Sequence, residues 1–159
     1  KKKENSVDDL MNVLVFISMI SMAVMGGVYF VFSVFVMQSL AQIRNGAEVM
    51  VKINQVILHS LFLPLFFLSS GLAAFIIVLN LLVQFDALLF MGSAVYILGM
   101  FACTAVCNVP LNKRLEAAHS SSGKNPFWAE YLQRWTRWNH VRTISSVLGA
   151  AALYAAGSS

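Results

Sequence analysis

Residues 10–43 read LMNVLVFISMISMAVMGGVYFVFSVFVMQSLAQI, and no charge interrupts the chain between Asp9 and Arg44. A helix needs about 20 apolar residues to cross the hydrocarbon of a bilayer. The stretch therefore predicts a transmembrane helix over about residues 10–40. Gly26-Gly27 near its centre would let a neighbouring helix approach closely. The chain opens on Lys1 rather than methionine. The apolar run is still far longer than the core of a signal peptide, about 7–15 residues, and reads as a retained helix.

Three further segments follow the same logic. Arg44-Asn45-Gly46 is a polar break, after which a second helix is expected over about residues 48–82, kinked at Pro64. Gln84-Phe85-Asp86 makes a short turn into a third helix over about residues 87–118. That helix is apolar as far as Val106 and is bent or ended at Pro110. A polar loop from His119 to Pro126 leads to a fourth helix over about residues 127–156. The composition agrees with lipid as the solvent: 58% of the 159 residues are hydrophobic, 11% are charged, and mean hydropathy is +0.73. Soluble domains carry about a quarter charged residues. The expected fold is all-α: a single membrane domain over residues 1–159, built as an antiparallel up-and-down bundle of four transmembrane helices.

The net charge is +4, yet the basic residues cluster at the ends of apolar stretches, not on an aromatic-rich polar surface. Nucleic acid is not an expected partner. Basic loops over residues 41–53 and 113–137, with Arg44, Lys52, Lys113, Arg114, Lys124, Arg134 and Arg137, are expected in the cytoplasm. Both termini then lie on the other side. Cys103 and Cys107 sit one turn apart on one helix, where a disulfide is poorly placed, and read as packed thiols. Gly92 and Gly99 fit equally an internal helix contact and a face between subunits of a homo-oligomer.

The fourth segment is the most informative. Its first half carries Trp128, Glu130, Arg134, Trp135, Asn139, His140 and Arg142, and only Thr143–Ala156 is apolar. At 1.5 Å per residue that half spans about 21 Å, short of the roughly 30 Å of a hydrocarbon core. Asn139 and Arg142 must therefore lie below the headgroups. Trp128, Tyr131, Trp135, Asn139, Arg142 and Ser146 recur at helical spacing on one face. Tyr96, Met100, Thr104, Asn108 and Asn112 do the same on the third helix. The second helix adds Asn54 and His59, and the first adds Tyr29, Ser33 and Met37. In an antiparallel bundle these groups meet at one depth. Unpaired polar groups in hydrocarbon cost several kcal/mol, so they should face inward and partner one another. An intramembrane arginine marks a functional site by default. The plainer readings are that Arg142 snorkels to the headgroups, the asparagines bind helices together, and the tryptophans form an interfacial belt. His59 and His140 lack the spacing of a metal site, and no metal is expected.

Asn108-Val109-Pro110-Leu111-Asn112, followed by Trp135-x-x-Trp138-Asn139-x-x-Arg142, resembles the anthrone oxygenase-like (DUF1772) family of small four-helix membrane proteins. The glycine-bearing first helix running into Phe35-Val36-Met37-Gln38-Ser39-Leu40, and Ile53-Asn54, fit as well. The resemblance covers nearly the whole chain. One departure is Gln38, where members often carry proline. The resemblance implies an oxidoreductase that oxidises an anthrone, or another flat phenolic, with dioxygen and without a metal or other cofactor. On that reading Arg142, with amides from Asn108, Asn112 and Asn139, would stabilise the substrate anion, and His59 or His140 would take the proton. Trp135 and Tyr96 would stack on the rings, with Thr104, Asn54 and Tyr29 completing the pocket. Two alternatives stand beside it. One is a binding protein for a quinone, a lipid or a haem held between His59 and His140. The other is a structural helix-bundle subunit, which needs no cavity. Apolar small molecules and membrane lipids are the expected partners.

Overall fold

A computed structural model describes residues 2–118 and 125–157, with side chains described from Asp9 onward. The basic Lys1–Lys3 cluster, the loop at residues 119–124 with Lys124, and Ser158-Ser159 lie wholly or in their side chains outside this description.

All regular structure among the described residues is helical. Helix α1 (Lys2–Val31) passes through a π-helical turn (Phe32–Val36) into α2 (Met37–Gln42). After a break come α3 (Gly46–Ile57) and α4 (Phe62–Leu82). Helix α5 (Ala87–Tyr96) continues through two π-helical turns, Ile97–Ala102 and Thr104–Asn108, into α6 (Val109–Ala117). Helix α7 (Trp128–Gly157) closes the chain. Three helical stretches are long and apolar enough to cross a membrane: Asp9–Gln42, Phe62–Leu82 and Ala87–Ala117. Helix α7 is not among them, since its first half is polar.

The second segment corrects the expected continuous helix over residues 48–82. It is broken at Leu58–Leu61 instead of merely kinked. Pro64 has no N–H to give the preceding turn, and its ring crowds the carbonyl four residues back. The chain answers by restarting the helix: the Ser60 hydroxyl donates to Ile57 O at 2.9 Å and accepts from Phe62 N at 3.2 Å. Pro110, by contrast, directly follows the π-helical turn Thr104–Asn108, and the helix runs on through it to Ala117, so it does not end the third segment.

Neighbouring segments run antiparallel. Gly26 lies against Ser146 and Tyr29 against Arg142, while Tyr96 reaches Ser69 and Asn80 reaches Asp86. Asn80 clamps the tight turn, donating to Asp86 O at 2.8 Å and accepting from Asp86 N at 2.7 Å. Asp86 then caps α5 by accepting from Leu88 N and Leu89 N.

Helix α7 is the central element and packs on both α1 and α5. It comes close because its neighbours are small there. A Cβ on Gly92 would lie 2.7 Å from Ala152 Cβ, and one on Gly99 would overlap the Ser145 side chain. Both glycines therefore serve internal helix contacts. One apolar cluster around Met22, Met25, Ile76, Tyr96 and Leu153 fills one half of the molecule. A second, around Met37, Met50, Leu115, Tyr131 and Trp135, fills the other. Large apolar side chains such as Phe16, Phe30, Phe75 and Leu98 point outward, as lipid-facing residues do.

Candidate functional site

Arg142 sits between the two clusters, 5% exposed, beside a cavity of about 450 Å³. Its guanidinium lies over the Tyr29 ring at 4.3 Å and over the Trp135 ring at 5.0 Å. Nη2 donates to Asn139 Oδ1 at 2.5 Å, and Nη1 donates to Thr104 Oγ1 at 3.4 Å. Asn139 in turn donates to Tyr29 O and Ser33 Oγ, both at 2.6 Å. Among the described residues no carboxylate forms an ion pair with Arg142; the ion pairs found are the exposed ones of Glu130 with Arg114 and Arg134.

The backbone is adapted to this level of the molecule. The π-helical turn Phe32–Val36 replaces the usual i→i+4 ladder with bonds such as Met37 N to Phe32 O, shortly after Tyr29. The turn Thr104–Asn108 lies opposite it, on the third segment. Single π-helical turns inside α-helices recur at functional sites because they re-aim side chains and disturb the local bonding ladder. Here they flank the arginine.

The cavity wall draws on all four long segments. Tyr29 and Phe32 come from the first, and Asn54, Phe62 and Phe66 from the second. Thr104, Asn108 and Asn112 come from the third, and Trp135 and Arg142 from the last. Its volume falls within the range of about 300–1,000 Å³ typical of small-molecule sites. The lining is mostly aromatic and aliphatic, with a few polar groups converging on it.

Three residues that line the cavity each carry a buried donor with no hydrogen-bond partner among the described residues: Asn54 Nδ2, Trp135 Nε1 and Arg142 Nε. An unsatisfied buried donor costs about 1–3 kcal/mol, and a charged one more. All three are N–H groups, so the chemistry they lack is an acceptor.

Asn108 and Asn112 are engaged within the protein. Asn108 Nδ2 donates to Trp135 O at 3.4 Å, and its Oδ1 lies 3.9 Å from Cys103 Sγ. Asn112 Oδ1 accepts from the Tyr131 hydroxyl at 2.8 Å. Trp128, Tyr131 and Trp135 stack in a ladder that ends at Arg142, with ring centroids 5.7 and 6.1 Å apart.

The expected face of α7 is thus brought together with Tyr29, Asn54, Thr104, Asn108 and Asn112. Three expected residues are not. His59 is exposed on the turn between α3 and α4, because the helix breaks just before it. His140 is exposed because it follows Asn139 by one residue, about 100° around the helix from the inward stripe. Neither lines the cavity. Tyr96 is fully buried, but its hydroxyl donates to Ser69 Oγ at 2.7 Å, in the apolar cluster away from the cavity wall. The arginine does not snorkel, and Trp135 is buried while Trp138 is 40% exposed. Sequence reasoning missed the aromatic wall of Phe32, Phe62, Phe66 and Phe101. The four-residue spacing of Phe62 and Phe66 was its one visible sign.

The molecule is thus an all-helical protein of membrane character, with a ligand-sized apolar cavity and an arginine at its inner end. More particularly, the chain belongs to the anthrone oxygenase family, whose model matches residues 54–152, more than half of its length. The matched region contains every polar cavity residue named above except Tyr29. No curated protein and no solved structure matches the chain.

Proposed function

We propose that this protein is a multi-pass membrane oxidoreductase that binds a flat, oxygen-bearing apolar molecule in the Arg142 cavity and oxidises it with dioxygen. The observation that carries the reading is that three residues lining one cavity, Asn54, Trp135 and Arg142, each hold a buried donor (Nδ2, Nε1 and Nε) with no partner among the described residues. A substrate oxygen carrying negative charge satisfies them and supplies the counter-charge Arg142 lacks.

For an anthrone-like substrate the chemistry balances without further reagents. The ring methylene loses a proton, and the negative charge moves to the carbonyl oxygen, where the donors hold it. The electron-rich carbon adds dioxygen to give a hydroperoxide. Loss of water, from the remaining C–H and the O–OH group, leaves a second carbonyl. Carbon is oxidised, one oxygen atom enters the product, and the other leaves as water. Glu116, at the polar mouth of the cavity, receives the first proton in place of the two exposed histidines.

In the membrane, α1/α2, α4, α5/α6 and α7 from about Asn139 onward cross as an antiparallel four-helix bundle. The basic loops over residues 41–53 and 113–137 lie on the cytoplasmic side and both termini on the other.

The test is purification in mild detergent, an absorption spectrum, mass spectrometry of extracted small molecules, and oxygen uptake on anthrone. Arg142→Ala should abolish uptake and release any bound aromatic, while Arg142→Lys keeps the charge but loses the fork and retains a small part of the activity. Full activity in Arg142→Ala would sink the proposal.

A further inference from the structure

We infer that the cavity takes its ligand sideways from the bilayer, through a slit between α4 and the third long segment, and that its water-facing end is held shut. This rests on the reading of the cavity and membrane placement above, and three observations carry it.

The first is the packing of the helices. Helix α4 packs along α5 and the turn Ile97–Ala102, but not substantially on Thr104–Asn108 or α6. Helix α4 begins at Phe62, level with Phe101, so beyond Phe101 the third segment has no α4 beside it, and α3, a short helix packed mainly on α2 and α6, lies across that gap.

The second is the exposure of the cavity's own lining. Phe67, Leu58, Ala105 and Val109 line the cavity and are exposed at the same time. They are apolar, and Phe67, Ala105 and Val109 belong to stretches long and apolar enough to cross a membrane. A cavity whose rim is apolar and exposed at that depth opens to hydrocarbon.

The third is the other end of the slit, where the lining turns polar. There Gln55 Nε2 donates to Glu116 Oε1 at 2.8 Å, joining α3 to α6 across the mouth. This end thus presents an amide–carboxylate pair to a ligand, whereas the rim at membrane depth is apolar. The ligand class is therefore a bilayer-dissolved polycyclic molecule. A polar or charged metabolite arriving from the aqueous phase does not fit this route.

The experiment uses the full chain carrying Trp128→Phe and Trp138→Phe, which leaves Trp135 on the cavity wall as the reporter. Reconstituted in phosphatidylcholine vesicles, it is mixed with anthrone-loaded vesicles, and Trp135 quenching is followed in time. Adding Ala105→Phe and Val109→Phe to plug the slit should slow quenching at least tenfold. Gln55→Ala should leave the rate as it was. Equal rates with and without the plug, or acceleration by Gln55→Ala alone, overturn the inference. Should anthrone fail to quench the unplugged protein, the ligand reading falls, and vesicles with brominated acyl chains decide the route alone. Quenching of Trp135 that the plug removes supports the slit, and quenching that is absent or unaffected by the plug overturns it. Thermal melting checks that the plugged protein is folded, with Ala105→Leu as the milder plug.

Discussion

Asn139 holds Arg142 in place: its carbonyl oxygen accepts from Nη2 at 2.5 Å, while its amide nitrogen is spent on Tyr29 O and Ser33 Oγ. Both amide hydrogens are thereby spent, and the asparagine has no donor left for an anionic ligand. It positions the guanidinium and ties α7 to the π-helical turn of the first segment. Among the described residues Arg142 Nε has no partner and the guanidinium no counter-ion, which is why the proposed binding role is given to the arginine.

Asn139→Leu should lower stability by about 1.5–3 kcal/mol, the range for a hydrogen bond to a charged group. The loss is read from thermal unfolding in detergent. Ligand affinity should fall as well, because Nη2 becomes a further orphan and the fork turns. A variant with unchanged melting would mean the 2.5 Å contact carries little energy.

Trp135→Phe removes one unpartnered donor and keeps most of the ring that stacks on Tyr131. Melting should shift little, because no internal hydrogen bond is lost. Affinity for anthrone should fall about five- to tenfold, the equivalent of about 1–1.4 kcal/mol. If isothermal binding finds equal affinity, the indole N–H does not meet the ligand.

Tyr131→Phe removes the hydroxyl that donates to Asn112 at 2.8 Å. It should cost about 1 kcal/mol of stability. Asn112 is also left with a free oxygen on the cavity wall, beside the proposed anion. Oxygen uptake should therefore fall together with stability, and an unchanged kcat/KM would place Asn112 outside the reacting region.

Gly99→Ala should destabilise the protein by about 1–3 kcal/mol, because the new methyl group meets the Ser145 side chain and pushes the third segment off α7. Gly27→Ala, whose added methyl meets nothing within 4 Å, should be neutral or slightly stabilising. Melting temperatures of the pair check both signs at once. Equal destabilisation would mean the close approach at Gly99 is absent in the membrane.

The two polar stripes were legible in the sequence because a single helix dictates its own periodicity. Tyr131, Trp135, Asn139, Arg142 and Ser146 all turn out buried, as do Tyr96, Met100 and Asn108. The break in the second segment was legible only in part. Pro64 marks strain in the helix, but whether the chain kinks or restarts depends on Ser60 bonding to both sides of the gap. The histidines were misplaced because a residue's type speaks for its chemistry and not for its direction. His140 is one position off the inward stripe, and that suffices to expose it. Tyr96 keeps the right face but the wrong level, with Ser69 as its partner.

By itself the sequence determined that the chain is helical and apolar, and that Asn139 and Arg142 share one face of the last helix. Helical period and segment length are local properties of the chain, and they suffice for this. Only the tertiary structure decided which donors go unpaired, where the helices part, and that the cavity ends at Arg142. Those depend on which atoms of one helix reach those of another, and no single segment carries that information.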